Sequence, residues 1–278
     1  MFAPLAAAAP VENAGARGRS ALARAALALA ILATASPTHA DVLRYEEGIA
    51  RDPKSASELY REQHWIRSDG QRPVERVVLY RCPNGTAFGR KRIDYRDSAT
   101  APAFAFDDRR SGYREGLRQG ATPTLFLRPK AGVPEQSAAL DGRTLVADAG
   151  FDEFIRRHWM PLTAGKALPL AFAVPSRLRS MGFSVSRAGT ASIGGEKAWV
   201  FRLKLGGLLG MVAPSIDVSY GQLSRRLLRF EGLSNLRDDA GAKLLLARID
   251  FPVQARAASE SQWQAALAAP LSACQAGR

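Results

Sequence analysis

The stretch VERVVLYRCPNGTAFGRKRIDY, Val74 to Tyr95, decides the fold. Two runs rich in β-branched and aromatic residues flank Pro83-Asn84-Gly85. Asn-Gly accepts the positive φ angles that a tight reversal needs, and between such runs it is the strongest short-range hairpin signal. The spacing therefore predicts antiparallel strands over 74–82 and 86–95. Upstream, 42–49 and 59–67 have the same character, and Ser68-Asp69-Gly70 closes the second of them. The hairpin thus becomes one unit of a meander. Downstream, 104–106, 112–117 and 124–127 give shorter strand candidates.

The pattern then changes. Residues 129–136 carry two prolines and a glycine and read as a loop, and Asp141-Gly142 marks a further turn. From Gly150 to Met160 the apolar period becomes helical, with Phe151, Phe154, Ile155 and His158 on one face. Asp152 and Glu153 at its start and Arg156 and Arg157 near its end suit the helix dipole, and Pro161 is expected to stop it. Strand candidates return at 168–174, 183–187, 198–205, 216–220, 225–231 and 244–251, and a short terminal helix is expected at 259–269. Strands do not alternate with long helices, so a doubly wound α/β fold is excluded. The expected fold is mainly β: a strongly curved antiparallel sheet, half-barrel or barrel, with one inserted helix on its concave side and a short C-terminal helix.

The first forty residues read differently. Arg17, Arg19 and Arg24 precede an eleven-residue apolar run from Ala25 to Ala35. That run is too short for a membrane span, which takes roughly 20 residues. Small side chains at Thr38 and Ala40 suit a signal peptidase, so 1–40 is expected to be a signal peptide cleaved after Ala40, and 41–278 a single β-rich periplasmic domain. With three arginines and one glutamate in the leader, +11 of the formal +13 charge stays on the mature chain. Its basic residues are interleaved with acids, as in Asp107-Asp-Arg-Arg110, which argues against nucleic acid and for anionic head groups or solubility. Later apolar runs are all shorter than a membrane span. The nearest begins at Leu205 and ends at Pro214; it is free of charge, rich in glycine, and suits either a buried connection or a lip touching a membrane surface.

The two cysteines of the chain, Cys82 and Cys274, allow one intramolecular pairing. In an oxidising compartment a disulfide between them is expected to tie the C-terminal tail to the sheet, worth ~5 kcal/mol in the chain-entropy model. Two free thiols and a nucleophilic Cys82 are the alternatives. His64 and His158 are the remaining histidines past the leader, too few for a zinc site with ordinary ligand spacing. No metal and no cofactor is expected.

Two clusters suggest chemistry. In Tyr60-Arg-Glu-Gln-His-Trp65, a strand places Glu62 and His64 on one face, where a carboxylate can orient an imidazole for acid–base work. A hydrogen-bonded surface row is the plainer reading. In the stretch from Phe104 to Gly116, Asp107, Asp108 and Glu115 resemble paired carboxylates, but Arg109, Arg110 and Arg114 can neutralise them. No serine stands in a Gly-x-Ser-x-Gly turn.

The segments YEE (from Tyr45), LYREQHW (from Leu59), VVLYRCPNG, FGRKRIDY, FDDRRSGYREG and LRFEGLSNLRD (from Leu228) resemble uncharacterised exported proteins of Gram-negative bacteria. At the level of fold alone, the meander is similar to periplasmic lipoprotein-carrier half-barrels, which implies a curved sheet that shelters acyl chains. The leading expectation is a non-enzymatic periplasmic binding protein for an apolar or amphipathic small molecule or lipid. Trp65, Phe88, Phe104, Phe106, Phe154 and Trp199 are expected to line the hollow, with Arg90 and Arg92 at an anionic head group. The alternatives are an envelope hydrolase using Glu62 and His64 or the Asp107 cluster, and a structural module of an envelope complex.

Overall fold

The computed structural model describes residues 42–140, 145–207 and 215–276. The expected leader and most of the Leu205-to-Pro214 stretch therefore lie outside the described residues. The N-terminal strands are β1 (Val42–Arg51), β2 (Glu58–Asp69), β3 (Arg72–Arg81), β4 (Ala87–Asp94), β5 (Ala103–Asp108), β6 (Tyr113–Arg118), β7 (Thr124–Arg128), β8 (Gln136–Ala139) and β9 (Leu145–Val146). Two helices, α1 (Gly150–Arg157) and α2 (Trp159–Thr163), come next. The remaining strands are β10 (Leu168–Val174), β11 (Arg179–Ile193), β12 (Glu196–Leu205), β13 (Ile216–Gly221), β14 (Leu227–Arg237), β15 (Leu244–Asp250) and β16 (Arg256–Ala257), and helix α3 (Glu260–Ala268) follows.

The strands form one sheet in the order β8-β7-β6-β5-β4-β3-β2-β1-β15-β14-β13-β12-β11-β10-β9, with β16 on β1. All neighbours are antiparallel except β9 and β10. The two meanders, β1 to β8 and β10 to β15, join where β1 pairs with β15. Among the described residues the sheet does not close: its edges are β8 and β9, which are consecutive in chain order. It does curl, because Asp152 of α1 reaches Arg76 on β3 and Tyr220 on β13, five places apart in the sheet. Helix α1 therefore lies on the concave side.

The central hairpin forms as its sequence predicts. Gly85 takes φ +87°, the Gly85 amide donates to the Cys82 carbonyl at 2.8 Å, and the Asn84 side chain accepts from the Thr86 amide. Cys82 and Cys274 are bonded in a disulfide, and nearby the Ser272 amide donates to the Ala87 carbonyl. The tail is thereby held against the β3–β4 turn.

Three features differ from expectation. The helix read as one piece over 150–160 is two. It breaks at His158, whose amide still donates to the Phe154 carbonyl, and Pro161 does not stop it. Pro161 sits in the first turn of α2, where a missing amide hydrogen costs no intrahelical bond. Strand β11 is much longer than the 183–187 run, because its outer half is a half-exposed ribbon with no apolar alternation to reveal it. Strands β8, β9 and β16 were not foreseen; they are two to four residues long and are held by main-chain pairing at the sheet's margins. No helix among the described residues is long and apolar enough to cross a membrane.

Candidate functional site

Directly paired residues in an antiparallel sheet share a face, so the register alone assigns the concave side. One row runs Glu46, His64, Val78, Lys91, Phe106, Glu115 across β1 to β6. The row on one side of it runs Gly48, Glu62, Tyr80, Gly89, Asp108, Tyr113. On the other side lie Ile66, Arg76, Ile93, Phe104 and Leu117. The concave face of this half of the sheet thus carries acids and bases that are almost wholly removed from solvent: Glu62, His64, Arg76, Lys91, Asp108 and Glu115 are all buried.

Burial of charge is tolerable only when each group is matched. Here it is. The His64 Nε2 lies 3.0 Å from a Glu62 carboxylate oxygen. Lys91 Nζ donates to Asp148 at 2.6 Å. Asp148 precedes α1 with φ +45°, a left-handed backbone that Asp tolerates better than most residues, and its carbonyl and carboxylate bond the amides of the following turn. Asp152 accepts from the Tyr220 hydroxyl at 2.6 Å and faces Arg76 at 3.6 Å. Arg110 forks onto Asp108, and the Tyr113 hydroxyl donates to Glu115.

The electrostatics follow from this packing. Burial opposes the Arg76 charge, but Tyr95, Asp152, Glu46 and Glu153 outweigh it and hold the guanidinium above its ordinary pKa. Burial pushes the Glu115 carboxyl up, against the Tyr113 hydrogen bond and the nearby Lys91. Burial also holds the phenols of Tyr60, Tyr80 and Tyr220 well above their usual range.

The other half of the sheet presents a different concave face. Trp199, Phe201 and Leu203 on β12 pair with Tyr220, Val218 and Ile216 on β13, and Phe230 on β14 pairs with Val218 and Ile249. Phe154, Ile155, Trp159 and Leu162 of the two helices pack into this apolar surface. Between the charged wall and the apolar wall lies a cavity of about 270 Å³. Glu46, Glu62, His64, Arg76, Lys91, Asp148 and Asp152 line one side; Phe172, Leu203, Ile216, Val218, Phe230 and Ile249 line the other. A side chain on Gly48 would meet the Phe251 ring at 2.8 Å, so glycine there lets Phe251 fold over the sheet beside His64.

The residues singled out from sequence divide three ways. Glu62 and His64 come together on the cavity wall. Phe88, Phe104, Phe106 and Phe154 are buried in packed clusters rather than on the cavity surface, and Trp199 is half-buried beside the α2 cluster under the Arg187 guanidinium. Trp65, Arg90 and Arg92, expected on the concave side, are on the convex one. Trp65 and Arg92 both pair with Val77, and Arg90 with Leu79. Helix α3 covers that patch through Trp263 and Ala266, and Arg90 donates to the Ala266 carbonyl at the helix end. The physical reason is period two: odd-numbered residues of β2 and β3 and even-numbered residues of β4 face outward together. The acidic trio does not converge either. Asp107 points outward to Arg114, while Asp108 and Glu115 point inward to separate partners.

Arg76, Lys91, Asp148 and the mixed wall they form were missed. The available signal was the unbroken apolar run Val77-Val78-Leu79-Tyr80, which marks a strand covered on both faces. Once both faces are covered, the alternating charges at 76 and 91 must be buried on one of them. Among the described residues no group of three or more His, Cys, Asp or Glu is placed to hold a metal ion.

No protein-family model matches the chain. No curated protein matches it. Among solved structures, it is similar to a β-barrel-like protein of the domain of unknown function DUF1849 from Brucella abortus, with 9% identity, 78% of this chain and 98% of that one covered, and a TM-score of 0.47.

Proposed function

We propose that the chain is a non-enzymatic binding protein of the periplasm that holds an apolar or amphipathic small molecule, or a lipid acyl chain, inside its curled sheet. The observation that carries this reading is the 270 Å³ cavity between a polar wall and an apolar wall. A hollow of that size approaches the lower end of small-molecule sites, and one apolar side with convergent polar groups is the usual composition of such sites. A periplasmic address rests on the Arg-rich leader with its short apolar run, and the Cys82–Cys274 disulfide is compatible with it.

The test is direct. Protein purified from an envelope fraction and examined by native mass spectrometry is expected to carry extractable lipid, and an apolar dye is expected to be displaced by it. Replacing Val218 by Trp fills the cavity from the apolar side and is expected to weaken dye binding at least tenfold while the fold, followed by circular dichroism, persists. Absence of copurifying lipid together with no dye binding overturns the reading in favour of a pocketless interaction module.

A second reading, an envelope hydrolase, is supported by one observation. Glu62 and His64 form a buried pair on the cavity wall, and the His64 Nδ1 is buried without a hydrogen-bond partner. Screening against ester and amide substrates with Glu62→Gln and His64→Gln as controls tests it; turnover that both variants retain eliminates the pair.

A further inference from the structure

The cavity has a charged approach. A groove of about 680 Å³ shares two lining residues with it, Glu46 and Arg76, so the two spaces adjoin. Arg44, Arg76, Arg156, Arg225 and Arg226 converge on this groove. They come from β1, β3, α1 and the turn between β13 and β14, segments distant in sequence that only the curl of the sheet brings together. Against these five positive charges the groove offers two carboxylates, Glu46 and Glu153.

The acids further inside are already occupied, Asp148 by Lys91, Asp152 by Tyr220 and Arg76, and Glu62 by His64. The arginines are less well satisfied. Glu153 takes one of them, Arg156. Arg226 spends one nitrogen on main-chain carbonyls of Phe251 and Val253, Arg225 stacks over Trp159, and Arg44 reaches the Ser68 hydroxyl at 3.4 Å. Arg76 is the telling case. Its side chain is only 8% exposed and its nearest carboxylate contact is 3.6 Å, while its Nε is buried with no hydrogen-bond partner. The Arg226 Nε is also buried and unpartnered. A planar guanidinium taken out of water with donors unused is suited to a bidentate oxyanion.

We infer that this arginine groove holds the anionic head, a carboxylate or a phosphate, of a single-chain amphiphile whose apolar body enters the cavity. The inference rests on the binding reading above and deepens it: it fixes the sign of the ligand's charge and the end of the site at which that charge sits. Arg76 stands at the junction, where head and chain meet.

Four ten-carbon probes test it by isothermal titration on the intact, disulfide-bonded protein: decanoate, decyl phosphate, decanol and decylamine. Decanoate or decyl phosphate is expected to bind at least tenfold more tightly than decanol, and decylamine most weakly. The tighter of the two anions identifies the head-group chemistry. Raising salt is expected to weaken the anions and leave decanol unchanged, since only the groove contribution is screened. The double variant Arg44→Gln with Arg225→Gln changes exposed groups and spares the core. It is expected to lose about tenfold toward the anions and nothing toward decanol. Equal binding of decanol and both anions, unaltered in the variant, overturns the head-group inference while leaving the cavity reading intact. Failure of all four probes to bind overturns both.

Discussion

The two halves of the sheet are built alike and filled differently. Both are antiparallel meanders that turn a concave face toward α1. From β10 to β14 that face is aromatic and aliphatic, and the helices are packed onto it through Phe154, Ile155, Trp159 and Leu162. From β1 to β6 it carries Glu62, His64, Arg76, Lys91, Asp108 and Glu115, all buried. The apolar half draws its stability from area removed from water. The charged half has to offset desolvation by pairing, and such pairings give little net stability over an apolar core of the same shape. The difference shows that the charged face is not the economical way to fill this sheet. The cavity lies where the two faces meet, and the charged face forms one of its walls.

Three experiments break or sharpen that contrast. The largest effect is expected in the apolar half. Phe201→Ala removes a fully buried ring from beneath Trp159 and Tyr220 and is expected to cost about 4 kcal/mol, measured by urea unfolding. A loss below about 1 kcal/mol would show that α1 and α2 are not held by that surface.

In the charged half, Lys91→Met strands the Asp148 carboxylate and is expected to cost about 3 kcal/mol. Adding Asp148→Asn is expected to recover most of it, because both partners are then neutral. Phe201→Ala has no such compensating partner. If the double variant is as unstable as the two single losses added together, the pairing account of this half is wrong.

The smallest effect tests Glu115. Burial raises its folded pKa above the 4.5 of an unperturbed carboxyl, so the folded state binds its proton more tightly than the unfolded chain does. Stability therefore falls as pH rises from the unfolded pKa through the folded one, and the penalty is complete above it. Glu115→Gln keeps an acceptor for the Tyr113 hydroxyl and removes the charge. It is expected to raise the melting temperature at neutral pH, with the gain shrinking as pH falls and vanishing below about 4.5. A gain that persists unchanged at pH 3 would assign it to packing instead.

Much of the sheet was legible because local chemistry announces it. Asn84-Gly85 and Asp69-Gly70 place two reversals, and the runs around them carry strand residues. The helical period from Phe151 to His158 places the one insertion that matters, although Pro161 reads as a stop and instead sits in the first turn of a second helix. The candidate site was legible only as the pair Glu62 and His64, whose spacing puts them on one face of one strand. Which face was inward could not be read, because Val77 and Leu79 on one side of β3 are as apolar as Val78 and Tyr80 on the other. Helix α3, almost 200 residues away in sequence from β3, settles the matter by covering Trp65, Val77 and Leu79. Arg90 and Arg92 go outward with them.

The sequence by itself determined most of the element types, the meander and the single possible disulfide pairing, since each depends on neighbours along the chain or on a count of two. Tertiary structure alone decided the rest: which face is concave, that β1 meets β15, and that Lys91 finds Asp148 and Arg76 finds Asp152. Those are contacts across large loops, chosen by the curl of the sheet around α1, and no local periodicity records how far a sheet curls.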